Sequence, residues 1–254
     1  MPQFTYGNQF TTNFEFSQAK NANSSQNQRN LTVVYLHGLC SDPRGSKPEA
    51  LKSFCLDAGC HFFRFELAGH GSDKDNFQKT DFNIWKGQLL EVIDHLVQGD
   101  IILAGSSLGG WLSLVGARER PERVRGVITL AAACDLDADL YKYALSDEQK
   151  AAVERGENIY LGTPEFNYVF TAAQIKAYQA NAMLQAPIPV FCPVHLLQGR
   201  KDASLEWHKV FKIADLLETD KVVVKILKNS AHRLAEPESL EEFRRSLEDL
   251  LKIN

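Results

Sequence analysis

The stretch that decides the fold reads Ile101-Ile102-Leu103-Ala104-Gly105-Ser106-Ser107-Leu108-Gly109-Gly110-Trp111-Leu112. Its first four residues are apolar throughout, which is typical of a strand that is covered on both faces. After the glycines, apolar residues recur at helical spacing, so the stretch predicts a strand, a sharp turn and a helix. The glycines let such a helix pack close to the strand and leave a serine hydroxyl free at the turn.

Ser107 is the predicted nucleophile of this turn. Its neighbour Ser106 is the competing serine, but only Ser107 has a glycine two residues away on both sides. A serine at the start of a helix lies beside aligned backbone amides, which favour developing negative charge. We therefore expect the amide of Leu108 to be one donor of an oxyanion hole, the group of N–H donors that stabilises a tetrahedral intermediate.

A second strand, Val33-Val34-Tyr35-Leu36, ends in His37-Gly38, and Leu39 follows. Acyl-transfer enzymes built on a strand-turn-helix nucleophile take their other oxyanion donor from a loop at this place. The amide of Leu39 is therefore the second expected donor.

The acid and the base are expected after the serine, each on the loop that follows a strand. Asp202 follows the strand pattern at 194–198, and His232 follows the one at 221–227. His232 would take the proton from Ser107 and return it to the leaving group, while Asp202 would hold the imidazole in the required tautomer. Asp135 and Asp137, which follow an earlier strand, are the alternative acids.

Strand and helix patterns alternate from residue 31 onward, which is typical of βα units around a mostly parallel sheet. The predicted strands cover residues 31–36, 61–67, 100–104, 124–131, 194–198 and 221–227, and the predicted helices cover 85–97, 108–118 and a C-terminal segment from about 237. Phenylalanine and tyrosine residues before the polar loop at 21–30 predict two further short strands. The predicted fold class is α/β, with helices on both sides of the sheet.

Residues 31–133 and 191–254 are expected to form two halves of one core, with residues 1–30 as an N-terminal addition. Residues 134–190 interrupt the alternation and carry two helical patterns, at 147–155 and 171–184. We interpret them as a short helical cap insertion, because a structureless connection of that length is uncommon in a compact domain.

The composition favours a soluble protein. The chain has 254 residues, of which 44% are hydrophobic, and its net charge is −4. No apolar run approaches the ~18 residues that a membrane span needs, so no integral membrane segment is expected. Scattered lysines and arginines give no basic stripe, which argues against nucleic acid as a partner.

The cysteines and the N-terminus bear on location. Five cysteines without a C-x-x-C pair suggest neither a disulfide framework nor a zinc ribbon. The first residues lack the features of a secretory or mitochondrial targeting segment. These observations predict a reducing compartment, and the cytoplasm is the expected location.

Four segments resemble the α/β-hydrolase domain-containing type 10 group, the mitochondrial palmitoyl-protein thioesterases. They are Arg64–Ser72, Gly105–Leu112, Ala186–Val190 and Ser230–Leu234. The resemblance runs from about residue 31 to the C-terminus, implies an α/β-hydrolase fold, and carries the family's triad onto the three residues predicted above. It also implies removal of long acyl chains from cysteine thioesters and hydrolysis of acyl-glucuronide esters. Residues 203–207 lack the Val-Pro that many hydrolases place after the acid, and this loop shapes the pocket.

The predicted function is hydrolysis of carboxylic esters or thioesters with a hydrophobic acyl group through an acyl-serine intermediate. A serine aminopeptidase or amidase on the same scaffold, or a non-catalytic ligand receptor, would share most of these features. The expected partner is a small acyl ester or thioester, or an S-acylated protein. No metal or organic cofactor is expected, since serine, imidazole and backbone amides suffice for acyl transfer.

Several residues are candidates for contact with the substrate. Some lie near the serine and others are aromatic residues of the insertion, where an apolar acyl group would need walls. The cap aromatics are equally well explained as the core of the cap itself. The candidates are His37, Gly38, Trp111, Tyr141, Phe166, Tyr168 and Phe170.

Overall fold

A mostly parallel β-sheet lies at the centre of the fold, as the alternating patterns predict. The computed structural model describes residues 1–19, 30–163 and 166–253. In chain order the strands are β1 (Gln3–Tyr6), β2 (Phe10–Ser17), β3 (Leu31–Leu36), β4 (His61–Phe65), β5 (Asp100–Ser106), β6 (Val124–Leu130), β7 (Ile159–Thr163), β8 (Phe166–Phe170), β9 (Val194–Gly199) and β10 (Val222–Leu227). The main sheet has the order β1-β2-β4-β3-β5-β6-β9-β10.

The N-terminal hairpin of β1 and β2 pairs antiparallel with β4, and the other strands of the main sheet are parallel. In this register Leu36 lies opposite Gly105, and Gly199 lies opposite Leu227. The loops that leave β3, β5, β9 and β10 therefore begin at one edge of the sheet, where the predicted site residues are located. The polar loop predicted at 21–30 falls almost entirely outside the described residues.

Eight α-helices accompany the sheet in the described part of the chain. They are α1 (Ser46–Asp57), α2 (Phe82–Glu91), α3 (Leu108–Glu119), α4 (Leu136–Asp139), α5 (Asp147–Glu154), α6 (Ala172–Ala180), α7 (Lys209–Leu216) and α8 (Pro237–Ile253). Alternate residues of β3 face opposite sides of the sheet: Val34 and Leu36 join one buried cluster, whereas Val33 and Tyr35 join the other. Both faces are covered, which explains why the central strands are apolar throughout.

The helix predicted at 85–97 begins earlier in the structure and ends differently. Asp81 caps α2 by accepting the backbone N–H groups of Asn83 and Ile84, so the helix starts at Phe82. Its last turn, Val92–Leu96, is a π-helix. The apolar spacing located this helix, but the cap decided where it begins.

The insertion at 134–190 contains helices α4 to α6, but it is not purely helical. The strands β7 and β8 pair antiparallel within it, and the sequence analysis missed this hairpin. The signal was present, because β-branched and aromatic residues are dense between residues 159 and 170. Among the described residues, no helix has the length and apolar character that crossing a membrane requires.

Candidate active site

Ser107 lies on a strained turn between β5 and α3. Its backbone has φ 56° and ψ −117°, a conformation that residues with a side chain rarely adopt. A Cβ on Gly105 would lie 2.0 Å from the carbonyl oxygen of Gly109, and a Cβ on Gly109 would lie 2.2 Å from that of Leu36. Both glycines are therefore required by close packing of α3 against the strands, as the sequence analysis predicts.

The structure brings Ser107, His232 and Asp202 into one hydrogen-bonded chain. The Oγ of Ser107 lies 3.0 Å from Nε2 of His232, and Nδ1 of His232 lies 2.7 Å from Oδ2 of Asp202. These residues follow β5, β10 and β9, three strands whose carboxyl ends lie at the same edge of the sheet. The distances suit proton transfer from a serine hydroxyl to an imidazole that a carboxylate orients.

The carboxylate of Asp202 is fully buried and well supplied with donors. Its Oδ1 accepts the backbone N–H groups of Ser204 and Leu205, and its Oδ2 accepts Nε2–H of Gln198 at 3.0 Å. Burial acts to raise the pKa of Asp202, but the hydrogen bonds and the charge of His232 outweigh it, so the pKa lies below its usual value. The group is therefore ionised at neutral pH.

The two backbone amides predicted as oxyanion donors belong to residues near Ser107. Leu108 is the first residue of α3, so its N–H has no acceptor within the helix. Leu39 lines the same cavity as Ser107. The buried ring of His37 fixes the loop that carries Leu39. Its Nε2 accepts the N–H of Leu67 at 3.0 Å, so Nδ1 carries the proton and donates to the carbonyl of Gly38 at 2.8 Å. Burial lowers the pKa of His37 to about 4, which keeps the ring neutral.

A cavity of ≈ 510 Å³ opens beside Ser107 and His232. Its walls come from the loop between β3 and α1, the start of α1, the turn around Ser107 and the loop after His232. Gly38 belongs to this wall, and a Cβ there would lie 3.3 Å from the Cβ of Ser107. Arg44, Lys47 and Arg233 also line the cavity, so its wall carries three cationic side chains.

Comparison with known proteins decides the family. Residues 32–173 match the family model described as the alpha/beta hydrolase fold. The chain belongs to the α/β-hydrolase family. This hydrolase is 33% identical over 227 residues to the rat protein named palmitoyl-protein thioesterase ABHD10, mitochondrial, covering 88% of this chain and 76% of the relative. The human protein of that name is 32% identical over 223 residues, covering 86% of this chain and 72% of the relative.

A solved structure agrees with these sequence relatives. The hydrolase superposes on alpha/beta hydrolase domain-containing protein 10 from mouse with a TM-score of 0.86 and 29% identity, covering 99% of this chain and 98% of the other. The expected fold class and the resemblance are therefore confirmed. Since homologues are named as thioesterases, the protein is a hydrolytic enzyme rather than a receptor that only shares the fold.

The structure corrects two of the expected substrate contacts. Trp111 has no exposed surface, and its ring packs against Phe82 with a centroid distance of 4.1 Å. His37 is likewise fully buried, and its role is to hold the loop at Gly38. Trp111 was expected near substrate because it closely follows Ser107 in sequence, and His37 because it closely precedes Leu39, but both side chains are buried.

The cap residues give a mixed outcome. Phe170 is buried where the cap meets the core, with its ring 5.6 Å from that of Phe77, so it contributes to cap packing. Tyr141 is half-buried and packs against the main hydrophobic cluster. The side chains of Phe166 and Tyr168 lie outside the described residues. The two cap candidates whose side chains are described, Tyr141 and Phe170, thus fit the alternative of a core for the cap.

The competing residues have other partners. Asp135 accepts the backbone N–H groups of Met183 and Leu184, so it holds the end of the insertion and does not face His232. Burial, aided by the charge of Asp135, raises the pKa of Asp137. His195 is buried within β9, and His208 is exposed before α7.

Two polar residues of the site were not predicted. Gln198 donates to Asp202, and Lys47 donates through Nζ to Oγ of Ser106 at 2.8 Å. Gln198 ends a buried strand, where a polar residue is unusual, and this signal was available in the sequence. Lys47 gives no such signal, because only the folded loop between β3 and α1 brings it to the serine.

Proposed function

We propose that this α/β-hydrolase cleaves carboxylic esters or thioesters with a hydrophobic acyl group through an acyl-serine intermediate. The observation that carries the proposal is the continuous hydrogen-bonded chain from Ser107 through His232 to Asp202, at the end of a strained turn. A serine hydroxyl is a weak nucleophile unless an adjacent base takes its proton. The hydrogen bonds of His232 to Ser107 and to the buried carboxylate of Asp202 support this role for His232.

The proposed reaction begins when Oγ of Ser107 attacks the carbonyl carbon and its proton moves to Nε2 of His232. The amides of Leu39 and Leu108 would donate hydrogen bonds to the oxyanion of the tetrahedral intermediate. The intermediate collapses as the bond to the leaving oxygen or sulfur breaks, and Nε2 returns the proton to that atom. A water molecule then repeats the two steps on the acyl-serine and releases the carboxylic acid.

The substrate class is drawn from the relatives. The rat and human proteins are named palmitoyl-protein thioesterases, and about one third identity over most of the chain supports a related acyl substrate here. We propose long-chain S-acyl or O-acyl groups, on small molecules or on S-acylated proteins. The sequence has five cysteines and no C-x-x-C pair, which favours a reducing compartment. We therefore propose the cytoplasm as the location, and cell fractionation would test it.

A fluorophosphonate probe tests the nucleophile. The native protein should gain the mass of the probe at Ser107, and Ser107→Ala should not be labelled. Ser106→Ala is the matched control, because it removes the adjacent hydroxyl and should still be labelled. Absence of labelling in the native protein would refute the serine mechanism.

A chain-length series tests the substrate. Rates on p-nitrophenyl esters from acetate to palmitate should rise with chain length, and a thioester of the preferred acyl group should also be cleaved. A preference for acetate would contradict the long-chain proposal. Faster turnover of aminoacyl amides than of esters would instead support an aminopeptidase.

A further inference from the structure

The strand β10 forms one edge of the main sheet. Among the described residues it pairs with β9 on one side and with no strand on the other. Its sequence is apolar apart from Lys225, yet most of its side chains are only half-buried and Val223 is 39% exposed. An edge of this kind presents unpaired backbone N–H and C=O groups, which are a template for another strand.

The backbone groups that face the open edge can be identified from the pairing with β9. The carbonyl oxygen of Lys221 accepts the N–H of Val194 at 2.9 Å, and that of Leu227 accepts the N–H of Arg200 at 3.0 Å. In a parallel pair, alternate residues direct their backbone groups to the same neighbour. The odd-numbered residues of β10 therefore bond to β9. The residues that direct N–H and C=O groups to the open edge are Val222, Val224 and Ile226.

The usual protection of a sheet edge is missing at β10. Natural edge strands are kept short, or carry prolines, bulges or outward-facing lysines that discourage pairing. At the other end of the sheet β1 has only four residues, and its Gln3 and Thr5 are exposed. β10 has six residues and no proline, and the Nζ of Lys225 is held by Oε2 of Glu242 at 3.0 Å. Its lysine is therefore tied to α8 and does not guard the edge.

A second copy of β10 matches this edge. In an antiparallel pair, outward-facing residues must lie opposite outward-facing residues, so that each pair exchanges two hydrogen bonds. A two-fold axis at Val224 places this residue opposite its own copy and Val222 opposite Ile226 of the second copy. Every outward-facing N–H and C=O group of the strand then has a partner.

The charges around the strand select this register. Asp220 and Lys228 flank β10, both are exposed, and within the part of the chain that the structure describes neither forms an ion pair. The axis at Val224 places Asp220 opposite Lys228 of the second copy, twice in the dimer. An axis one residue earlier would oppose Lys221 to Lys225, and an axis one residue later would oppose Lys225 to its own copy. Like charges directly opposite each other destabilise a strand pair.

We propose that β10 is a homodimer interface, at which a second copy adds its β10 antiparallel about a two-fold axis at Val224 and continues the sheet from one chain into the other. The dimer does not depend on the proposed reaction. The two β10 strands run in opposite directions, so the active sites open at opposite edges, and each keeps its own triad. A two-fold interface is closed, so association stops at two chains.

Charge reversal across the axis would test the dimer. Sedimentation velocity over a concentration series should give a native mass that rises from 28.5 kDa to twice that value. Asp220→Lys opposes lysine to Lys228 at both ends of the interface, and Lys228→Asp opposes two aspartates. The dimer Kd should rise about tenfold in each variant, and the double variant should recover the native Kd.

Two further variants control for the fold and for net charge. Lys74→Asp reverses an exposed charge on the helical segment Gly71–Lys79, which packs against β2 at the far side of the sheet, so its Kd should be native. Val224→Pro removes an N–H that β9 does not use, a change that edge strands tolerate. This variant should be monomeric at every concentration and should still hydrolyse esters.

The outcomes separate the dimer from the serine mechanism. A native protein that stays monomeric at its highest soluble concentration would overturn the interface, as would a dimer that Val224→Pro leaves intact. Failure of the double variant to recover the native Kd would overturn the register. Assemblies that grow beyond two chains would show a different pairing and overturn the two-fold axis. In each case fluorophosphonate labelling of Ser107 remains a separate test of the reaction.

Discussion

Gly109→Ala is a sharp test of the turn that holds Ser107. The added Cβ would lie 2.2 Å from the carbonyl oxygen of Leu36 and 2.6 Å from that of His37. Both atoms belong to the backbone, so neither can rotate away. The first contact must lengthen to at least 3.0 Å, which moves the start of α3 outward by about 0.8 Å.

That displacement acts directly on the reacting groups. Ser107 immediately precedes α3, and its Oγ is already 3.0 Å from Nε2 of His232. A misplacement on the order of 1 Å lowers a rate by about 10²-fold, so kcat should fall by about that factor on every substrate. Overpacking should also cost about 1–3 kcal/mol of the free energy of unfolding.

Gly116→Ala is the matched control on the same helix. Its Cβ would lie 2.7 Å from Cδ1 of Leu103 and 3.0 Å from Cδ2 of Leu89, the ends of side chains that can rotate. This variant should lose some stability but keep its kcat. Steady-state kinetics on a soluble ester, with urea unfolding for both variants, would measure the two effects. Native kcat in a folded Gly109→Ala variant would refute the steric account of the turn.

Two further predictions follow from buried groups. Asp202→Asn should lower kcat by about 10³- to 10⁴-fold, because the amide favours the wrong imidazole tautomer. Asp135→Asn should instead keep kcat and lower the free energy of unfolding by about 1–3 kcal/mol. The reverse pattern would identify Asp135 as the acid. Stability should fall as the pH drops from about 6.5 towards 4. Burial holds the pKa of His37 at about 4 and that of His70 at about 3 in the folded protein. As the pH falls, both histidines therefore bind protons in the unfolded chain before they do so in the folded one, which favours unfolding. The lowered pKa of His37 alone should reduce the free energy of unfolding by about 3 kcal/mol at pH 4, relative to neutral pH. Urea unfolding at several pH values would measure this dependence. If the slope of the free energy of unfolding against pH were unchanged in His70→Asn, His70 would not contribute to it.

The fold could be predicted from sequence because its strongest signals are local. The strand β5 and the glycines around Ser107 lie within a dozen residues, and each constrains the next through sterics. The strand patterns at 194–198 and 221–227 then placed Asp202 and His232 correctly in the chain. Parallel strands end at one edge of the sheet, so knowing which strand each residue follows was enough to predict that they meet.

Proximity in sequence to predicted site residues was a poor guide to substrate contact. Trp111 and His37 are within a few residues of predicted site residues, yet both side chains turn into the core. The direction in which a side chain points depends on the helical or extended geometry of the backbone at that position, and not on its distance along the chain from the site. The hairpin in the insertion was missed for a related reason, since its short apolar run is compatible with either a strand or a helix.

The proposed triad and Lys47 belong to different elements of the fold. Ser107, Asp202 and His232 follow strands of the central sheet, whereas Lys47 lies on α1, beyond a loop that can change without moving any strand end. Gly109→Ala should therefore move the turn directly, while Lys47→Gln can reach it only by removing the hydrogen bond from Nζ to Oγ of Ser106. A fall in kcat on every substrate in a folded Lys47→Gln variant would show that Lys47 supports Ser106 and the turn beside it, and an unchanged kcat would show that the turn is held by the packing of α3 alone.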